Sequence, residues 1–496
     1  MTIPTVTITV SDNGANAALQ VPQSNVQVVM GCSTSGTVAV PVATTNPNTL
    51  QTTFGYGPLV EAAGLVCQAG GTVIALRLTT ATAGTATSVV ATTPGSSTSV
   101  LTLTLDGTYG AYDDYYVRLL CTTGGTRGVA GIQFKISLDA GRTYGSIISL
   151  GTATTYVIPN TGITINFAAG TLVAGDYWSF STTAQTWDTT GLATALTNLA
   201  NSQYGVQGWG SLHLVGVCSA ATVATLQTDI QALTTSKYIF SRAIVEARDA
   251  LAPVAWGGSG ETESAWISSL GTAFSATDAK RVCVGAGYYN MPSAFPTSAA
   301  GLPSYRRPLS WADAVRRVLV PAQRRGGRVK DGSLQNIVVD PSTDPSDGFI
   351  YHDERANPGL DAARFMAALT WPKKQGFYIC QENLMSATGS QFTELVLGNV
   401  IDVACAIGYA TGVSEISDDL RLTDSGTLYP TDALTIQNLI DQALANGMTN
   451  VAMVSDAYSS VSQTQNVRST NTIPITITVN PRGYVNAITE TINLEA

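Results

Sequence analysis

The chain begins in strict alternation. Val6, Ile8 and Val10 fall on one face and Thr5, Thr7 and Thr9 on the other, a period of two that predicts an extended arm over residues 1–20. Asp12, Asn13 and Gly14 then break the run. From about residue 25 the pattern turns to strands alternating with helices. Val26, Val28 and Val29 predict a buried strand. Leu59, Ala63, Val66 and Cys67 share one helical face within 50–71, Gly70 and Gly71 stop that helix, and a strand follows at 72–78. The same alternation resumes near 188. Leu192, Leu196 and Leu199 suit a helix, 212–217 a strand, Val223, Leu226, Ile230 and Leu233 a helix, and 238–245 and 282–286 further strands. Strands and helices in turn predict a mostly parallel sheet.

Between 84 and 186 the alternating runs are short. Segments 100–105, 132–138 and 163–167 are separated by Gly-rich turns, such as Asp106-Gly107, about every ten residues, the spacing of a sandwich or barrel. This stretch reads as a β domain inserted into the α/β domain. Residues 340–358, rich in Pro and Asp, read as a linker or long loop. Farther on, Phe392, Leu395, Val396, Asn399, Val400, Val403, Ala404 and Ile407 keep helical spacing. Ile436, Leu439, Ile440, Ala443 and Leu444 form a second stripe, closed by Asn446-Gly447. Strands at 451–454, 473–479 and 485–494 complete the chain, with Ile473, Ile475, Ile477 and Val479 on one face. The predicted fold class is α/β and α+β, multidomain. It comprises a β arm (1–20), a discontinuous α/β domain (21–83 and 187–355), a β-rich sandwich or barrel insertion (84–186), an α+β domain (356–480) and a second β arm (481–496).

Length agrees with several domains, because one core rarely grows past roughly 250–300 residues and this chain has 496. Charged residues are only 12% of the chain, against about 25% in ordinary soluble domains. Thr, Ser, Ala and Gly take their place. Such a surface suits packing against copies of itself, although secreted β proteins share the trait. The net charge of −9 is opposite to that of a nucleic-acid binder. No run of 18 or more apolar residues is present, so no membrane insertion is expected. The alternating start lacks the basic and apolar blocks of a signal peptide, and folding in a cytoplasm is expected.

The candidate chemistry is sparse. His213 lies in an apolar strand and reads as a satisfied strand residue, and His352, in Tyr351-His352-Asp353-Glu354, reads as part of a solvated loop. Gly257-Gly258-Ser259-Gly260 is followed by Glu261, so the nucleophile-elbow frame fails, and no phosphate-binding glycine loop occurs. No catalytic residue, metal site or cofactor is expected. Of the seven cysteines no two form a CxxC pair, which argues against zinc. Buried thiols and disulfides between subunits both stay open, with Cys32, Cys67, Cys380 and Cys405 as candidates in the second case. Residues 305–330 are the one basic region. A solvated surface and charge contacts between subunits, through Arg316, Arg317, Arg324 and Arg325, both stay open. Both chain ends alternate, at Val6, Ile8 and Val10 and again at Ile488, Ile492 and Leu494. A lone strand must add to a sheet edge, in its own chain or in a neighbour's.

Two stretches resemble the contractile-tail sheath family. The first is Phe54-Gly55, Leu59, Ala63, Gly70-Gly71 and Arg77. The second is Arg364, Leu369, Gly376-Phe377-Tyr378, Asn383, Met385, Gly389-Ser390, Phe392 and Asn399-Val400-Ile401-Asp402, where Asn399 stands in the place of a frequent arginine. The C-terminal pair of strands is similar as well. The likeness covers 25–84 and about 190–496 but not the β insertion. It implies a non-enzymatic subunit that stacks as six-membered rings around an inner tail tube and contracts to drive the tube through a cell envelope. It implies strand arms hooked into neighbouring subunits, a tube-facing C-terminal domain and an outward-facing insertion. The implied partners are the chain itself, the tube protein, and baseplate and tail terminator proteins. The implied place is a virion tail, assembled in host cytoplasm. Two other classes are weighed against it. A surface or adhesive β-rich protein would want a leader sequence. An α/β enzyme would want polar residues clustered at strand ends.

Overall fold

The structure is a computed structural model, and it describes residues 26–296, 303–338 and 348–486. Val6, Ile8, Val10, Ile488, Ile492 and Leu494 lie outside the described residues. The chain divides into two compact units, Pro22–Gly398 and a second whose described part is 399–486. It is a mixed α/β multidomain fold.

The larger unit is built on a seven-stranded mixed sheet in the order Val42–Thr44, Thr72–Arg77, Val26–Gly31, Ser211–Val217, Ala243–Glu246, Ala279–Gly285 and Leu384–Met385. The five inner strands pair in parallel and the two outer strands pair antiparallel. The parallel strands are near-continuous apolar runs, as a sheet covered on both faces requires. Val28, Met30, Ile74, Leu76, Leu212, Leu214, Val245, Val282 and Val284 join one core with Leu192, Leu196, Leu199, Val223, Leu226 and Ile230 of the flanking helices. Those helices start where polar side chains satisfy their first N–H groups. Asp188 accepts from the Gly191 N–H at 2.7 Å and Ser219 from the Thr222 N–H at 3.2 Å.

One strand begins later than its hydrophobic run predicts. Tyr238 takes a left-handed conformation (φ 55°) and donates its N–H to Leu233 O, ending the helix Ala220–Lys237. Pairing therefore starts only at Ala243. His213 also departs from expectation. It is fully buried between Val29 and Ile244, and neither ring nitrogen has a hydrogen-bond partner. Burial pushes its pKa down to about 3. Its neutral form therefore supports the fold fully above the unfolded value of about 6.5, and that support drains away as pH falls toward the folded value. His213→Leu is expected to raise stability by about 1–3 kcal/mol near neutral pH and to flatten the loss between these pH values. Urea titrations of both proteins across that range measure it. An unchanged acid limb would remove His213 as its cause.

Between the strands Thr72–Arg77 and Ser211–Val217 the chain forms a strand-rich region. Tyr116–Thr123 pairs with Gln133–Ser137 on one side and Tyr177–Thr183 on the other, all antiparallel. A second sheet runs Thr155–Ile158, Ile163–Phe167 and Leu101–Leu105. Val117, Leu119, Phe134, Ile136, Ile163, Ile165, Phe167 and Trp178 fill a core common to both sheets.

The helix Leu395–Ser414 runs from the first unit into the second. Its length and composition alone would let it cross a bilayer, but half of its apolar window is buried, the pattern of a core helix. In the second unit the helix Pro430–Leu444 buries Ala433, Ile436, Ile440 and Leu444, whereas Leu439 of the predicted stripe is exposed. Two antiparallel strands, Val454–Val461 and Ile475–Pro481, follow it.

Candidate functional site

The terminal strand pair shows period-two burial. Val454, Ala457, Ser459, Val461, Ile477 and Val479 are buried, while Ser455, Tyr458 and Ser460 stand in solvent. Asp441 of the helix Pro430–Leu444 accepts from the Ser459 hydroxyl at 2.6 Å and anchors the pair from beneath. Among the described residues no third strand pairs with either member. Two-stranded sheets are marginal by themselves, and an unpaired edge is a template for another strand. The predicted strand at 451–454 is displaced. Val451 is exposed, and pairing begins at Val454.

The basic region is a solvated surface only in part, at Arg328 and Lys330. Arg306, Arg307, Arg316 and Arg317 are all buried. Arg316 donates to the carbonyls of Asp331 and Gly332, both at 3.0 Å. Arg317 lies against Asp313 and Glu382, and Glu382 also accepts the Gly326 N–H at 2.9 Å. Arg325 makes a two-pronged pair with Glu394. The Arg324 side chain keeps 40% exposure, with Asp331 at 3.6 Å. The helix Leu309–Leu319 explains the burial. Leu309, Trp311, Ala312 and Val315 carry it into the core, and its charged residues go with it.

A second charged cluster ties the strand-rich region to the sheet. Both guanidinium prongs of Arg307 bond Asp113, at 2.8 and 2.6 Å, with both side chains buried. Arg306 pairs with Asp249 and lies among the rings of Tyr288, Phe349 and Tyr351. Burial raises Glu246 to about 7, although it accepts from the Gly216 N–H and the Trp311 indole. The acids Asp113, Asp249, Glu382 and Glu394 were not legible from the sequence, because each meets its arginine from a remote segment.

His352 does not sit in a solvated loop. It is fully buried and flanked by two glutamates. All seven cysteines are described, and no disulfide joins any two. Cys32, Cys67 and Cys405 are buried, while Cys380 is partly exposed. Burial pushes the Cys32 and Cys380 thiols up to about 12 and Cys67 to about 11, so these groups are poor nucleophiles. Among the described residues no group of three or more His, Cys, Asp or Glu is placed to hold a metal.

The chain is similar to two solved structures. One is a sheath tail protein from Desulfitobacterium hafniense, with 11% identity over 93% of each chain and a TM-score of 0.42. The other is a sheath tail protein from Listeria innocua, with 9% identity over 94% of this chain and 92% of that one, and a TM-score of 0.43. At these values no residue role is carried across. No protein-family model matches the sequence, and no curated protein matches it.

Proposed function

We propose that the chain is the structural subunit of a contractile tail sheath. In this reading it polymerises with itself as stacked six-subunit rings around an inner tail tube, and it shortens to drive that tube through a cell envelope. The observation that carries the reading is the terminal strand pair with both edges open among the described residues. Open edges ask for strands, and the sequence supplies two candidates, one with Val6, Ile8 and Val10 and one with Ile488, Ile492 and Leu494. Added from neighbouring subunits, they would weave a mesh that survives large subunit movements. Energy would come from better packing in the contracted lattice, the extended state being held kinetically.

The sequence resemblance supports the same reading through residues that shape the backbone. Arg364, in a left-handed conformation (φ 69°), donates to the carbonyls of Phe274, Thr277 and Ser386. Asn383 donates to the Asp361 carboxylate at 2.8 Å. Gly55, at φ 72°, ends the helix Pro47–Phe54. The tube protein, baseplate and terminator proteins are the proposed partners, and Arg324 is the proposed charge contact between subunits. Sedimentation of the full chain against a version lacking 487–496 tests the strand-addition step. The full chain is expected to sediment as large polymers and the shortened chain as monomers with unchanged thermal unfolding. A shortened chain that still polymerises would mean that the 487–496 strand is not what completes the mesh.

A further inference from the structure

Residues 348–361 contain no helix or strand, yet they are held at nearly every position. The Phe349 ring meets Tyr116 edge-on, with centroids 4.4 Å apart, and stacks on Trp256. Ile350 O accepts from Arg306 Nη2 at 2.6 Å, and the Tyr351 hydroxyl accepts from Arg142 Nη2 at 2.7 Å. Tyr116 and Arg142 belong to the strand-rich region. Arg306 and helix Glu263–Phe274 belong to the sheet side. The segment therefore bridges the two.

His352 is the pin of this bridge. Its Nδ1 lies 2.8 Å from Glu263 Oε1 and its Nε2 lies 2.9 Å from Glu354 Oε2. A neutral imidazole carries one N–H, and its bare nitrogen would face the lone pairs of a carboxylate. Glu354 is held as a carboxylate by other donors. Glu354 accepts backbone N–H groups from Gly359 at 2.7 Å, Leu360 at 3.1 Å and Asp361 at 3.2 Å. The second Glu263 oxygen accepts from Asn357 Nδ2 at 2.6 Å. An imidazolium donating from both nitrogens satisfies this geometry.

We propose that segment 348–361 is a pH-operated strap, locked while His352 is an imidazolium and released when it loses its proton. The groups facing the ring are Glu354 of the strap, and Glu263 and Trp266 of helix Glu263–Phe274. Tyr289 of the strand Tyr288–Pro292 donates to the His352 carbonyl, and Arg306 lies beyond it. Burial alone would lower the His352 pKa, but hydrogen bonds and charge from Glu354 and Glu263 outweigh it and raise the value. The lock is therefore complete below the unfolded pKa, about 6.5, and is lost as pH rises through the higher folded value. At the acid end, burial opposes the Glu354 charge, but His352 and the backbone donors hold its pKa low, so the lock persists until that carboxylate is protonated. The strap requires no polymer and stands apart from the sheath reading.

Hydrogen exchange of the full-length chain, read by mass spectrometry and corrected for the intrinsic rate, tests the strap. Peptides covering Gly359 to Asp361 are expected to lose protection, at most on the order of tenfold per pH unit, between about pH 6.5 and the higher folded pKa of His352, and to change no further above it. The helix Ala220–Lys237 is expected to stay protected throughout. His352→Gln should show weak protection that does not change over the same range. Histidine-labelled protein gives a second readout by NMR, with only two imidazoles present. His213 is deprotonated above about pH 5, given a pKa near 3, so titration there reports His352 alone. Strap protection that is flat with pH in the natural chain, or an imidazole that titrates at or below its ordinary value, overturns the proposal. The NMR result decides if the glutamine variant fails to fold.

Discussion

Replacing Asp113 with alanine is expected to lower stability by about 3–5 kcal/mol, the cost of breaking a buried ion pair from one side. Arg307 cannot escape by losing its proton even in the variant, because a guanidinium stays charged in proteins. Burial opposes its charge, but Asp113 more than offsets this and holds the guanidinium pKa above its ordinary value. Without the carboxylate, two charged hydrogen bonds vanish while the cation stays buried beside Tyr305 and Trp311. The pair also joins residues 194 positions apart, so its loss loosens the strand-rich region from the sheet. Asp113→Leu combined with Arg307→Met is expected to recover much of the loss, because apolar neighbours replace buried pairs at little cost. Urea unfolding of the natural chain, Asp113→Leu, Arg307→Met and the double variant measures the coupling. A single-variant loss under about 1 kcal/mol would show a pair screened like one on the surface.

Gly110→Ala is expected to cost about 2–5 kcal/mol, the sum of a left-handed backbone and an overpacked contact. Gly110 has φ 69°, and a Cβ there would stand 1.9 Å from the Gly84 carbonyl oxygen. The obstacle is backbone on both sides, since a Cβ on Gly84 would meet Ala111 O at 2.0 Å. No side-chain rotation relieves either contact. Gly107 lies in the same turn, and a Cβ there meets nothing within 4 Å. Gly107→Ala is therefore expected to be nearly neutral. Thermal unfolding of the two variants side by side separates local crowding from a general effect on the turn. Equal losses would contradict the argument.

The fold was legible where periodicity alone decides structure. Leu192, Leu196 and Leu199 bury as their spacing predicts, and so do Val223, Leu226 and Ile230. The alternating run Ile163–Phe167 is a strand with Ile163, Ile165 and Phe167 inward. Legibility failed where a residue's surroundings come from elsewhere in the chain. Arg306 and Arg307 read as surface because nothing local shows Asp249 and Asp113. His352 read as a solvated loop residue because Glu263 lies 89 positions away. His213 read as satisfied because pattern shows burial but not hydrogen bonding. Of the terminal strand pair only Ile475–Pro481 was visible as alternation; the pattern placed a short strand at 451–454 and paired 473–479 with 485–494, so the partner Val454–Val461 was missed. The pair's open edges among the described residues became visible only with the sheet order in hand.

Copies of this chain are proposed to build a tube. Negative-stain electron microscopy of the concentrated full-length chain, alone and with a candidate tail-tube protein, tests it most directly. Striated tubes or stacked rings with sixfold end views are the expected result. Uniform single particles under both conditions would contradict it and return the open strand pair to the role of a binding edge for some other chain.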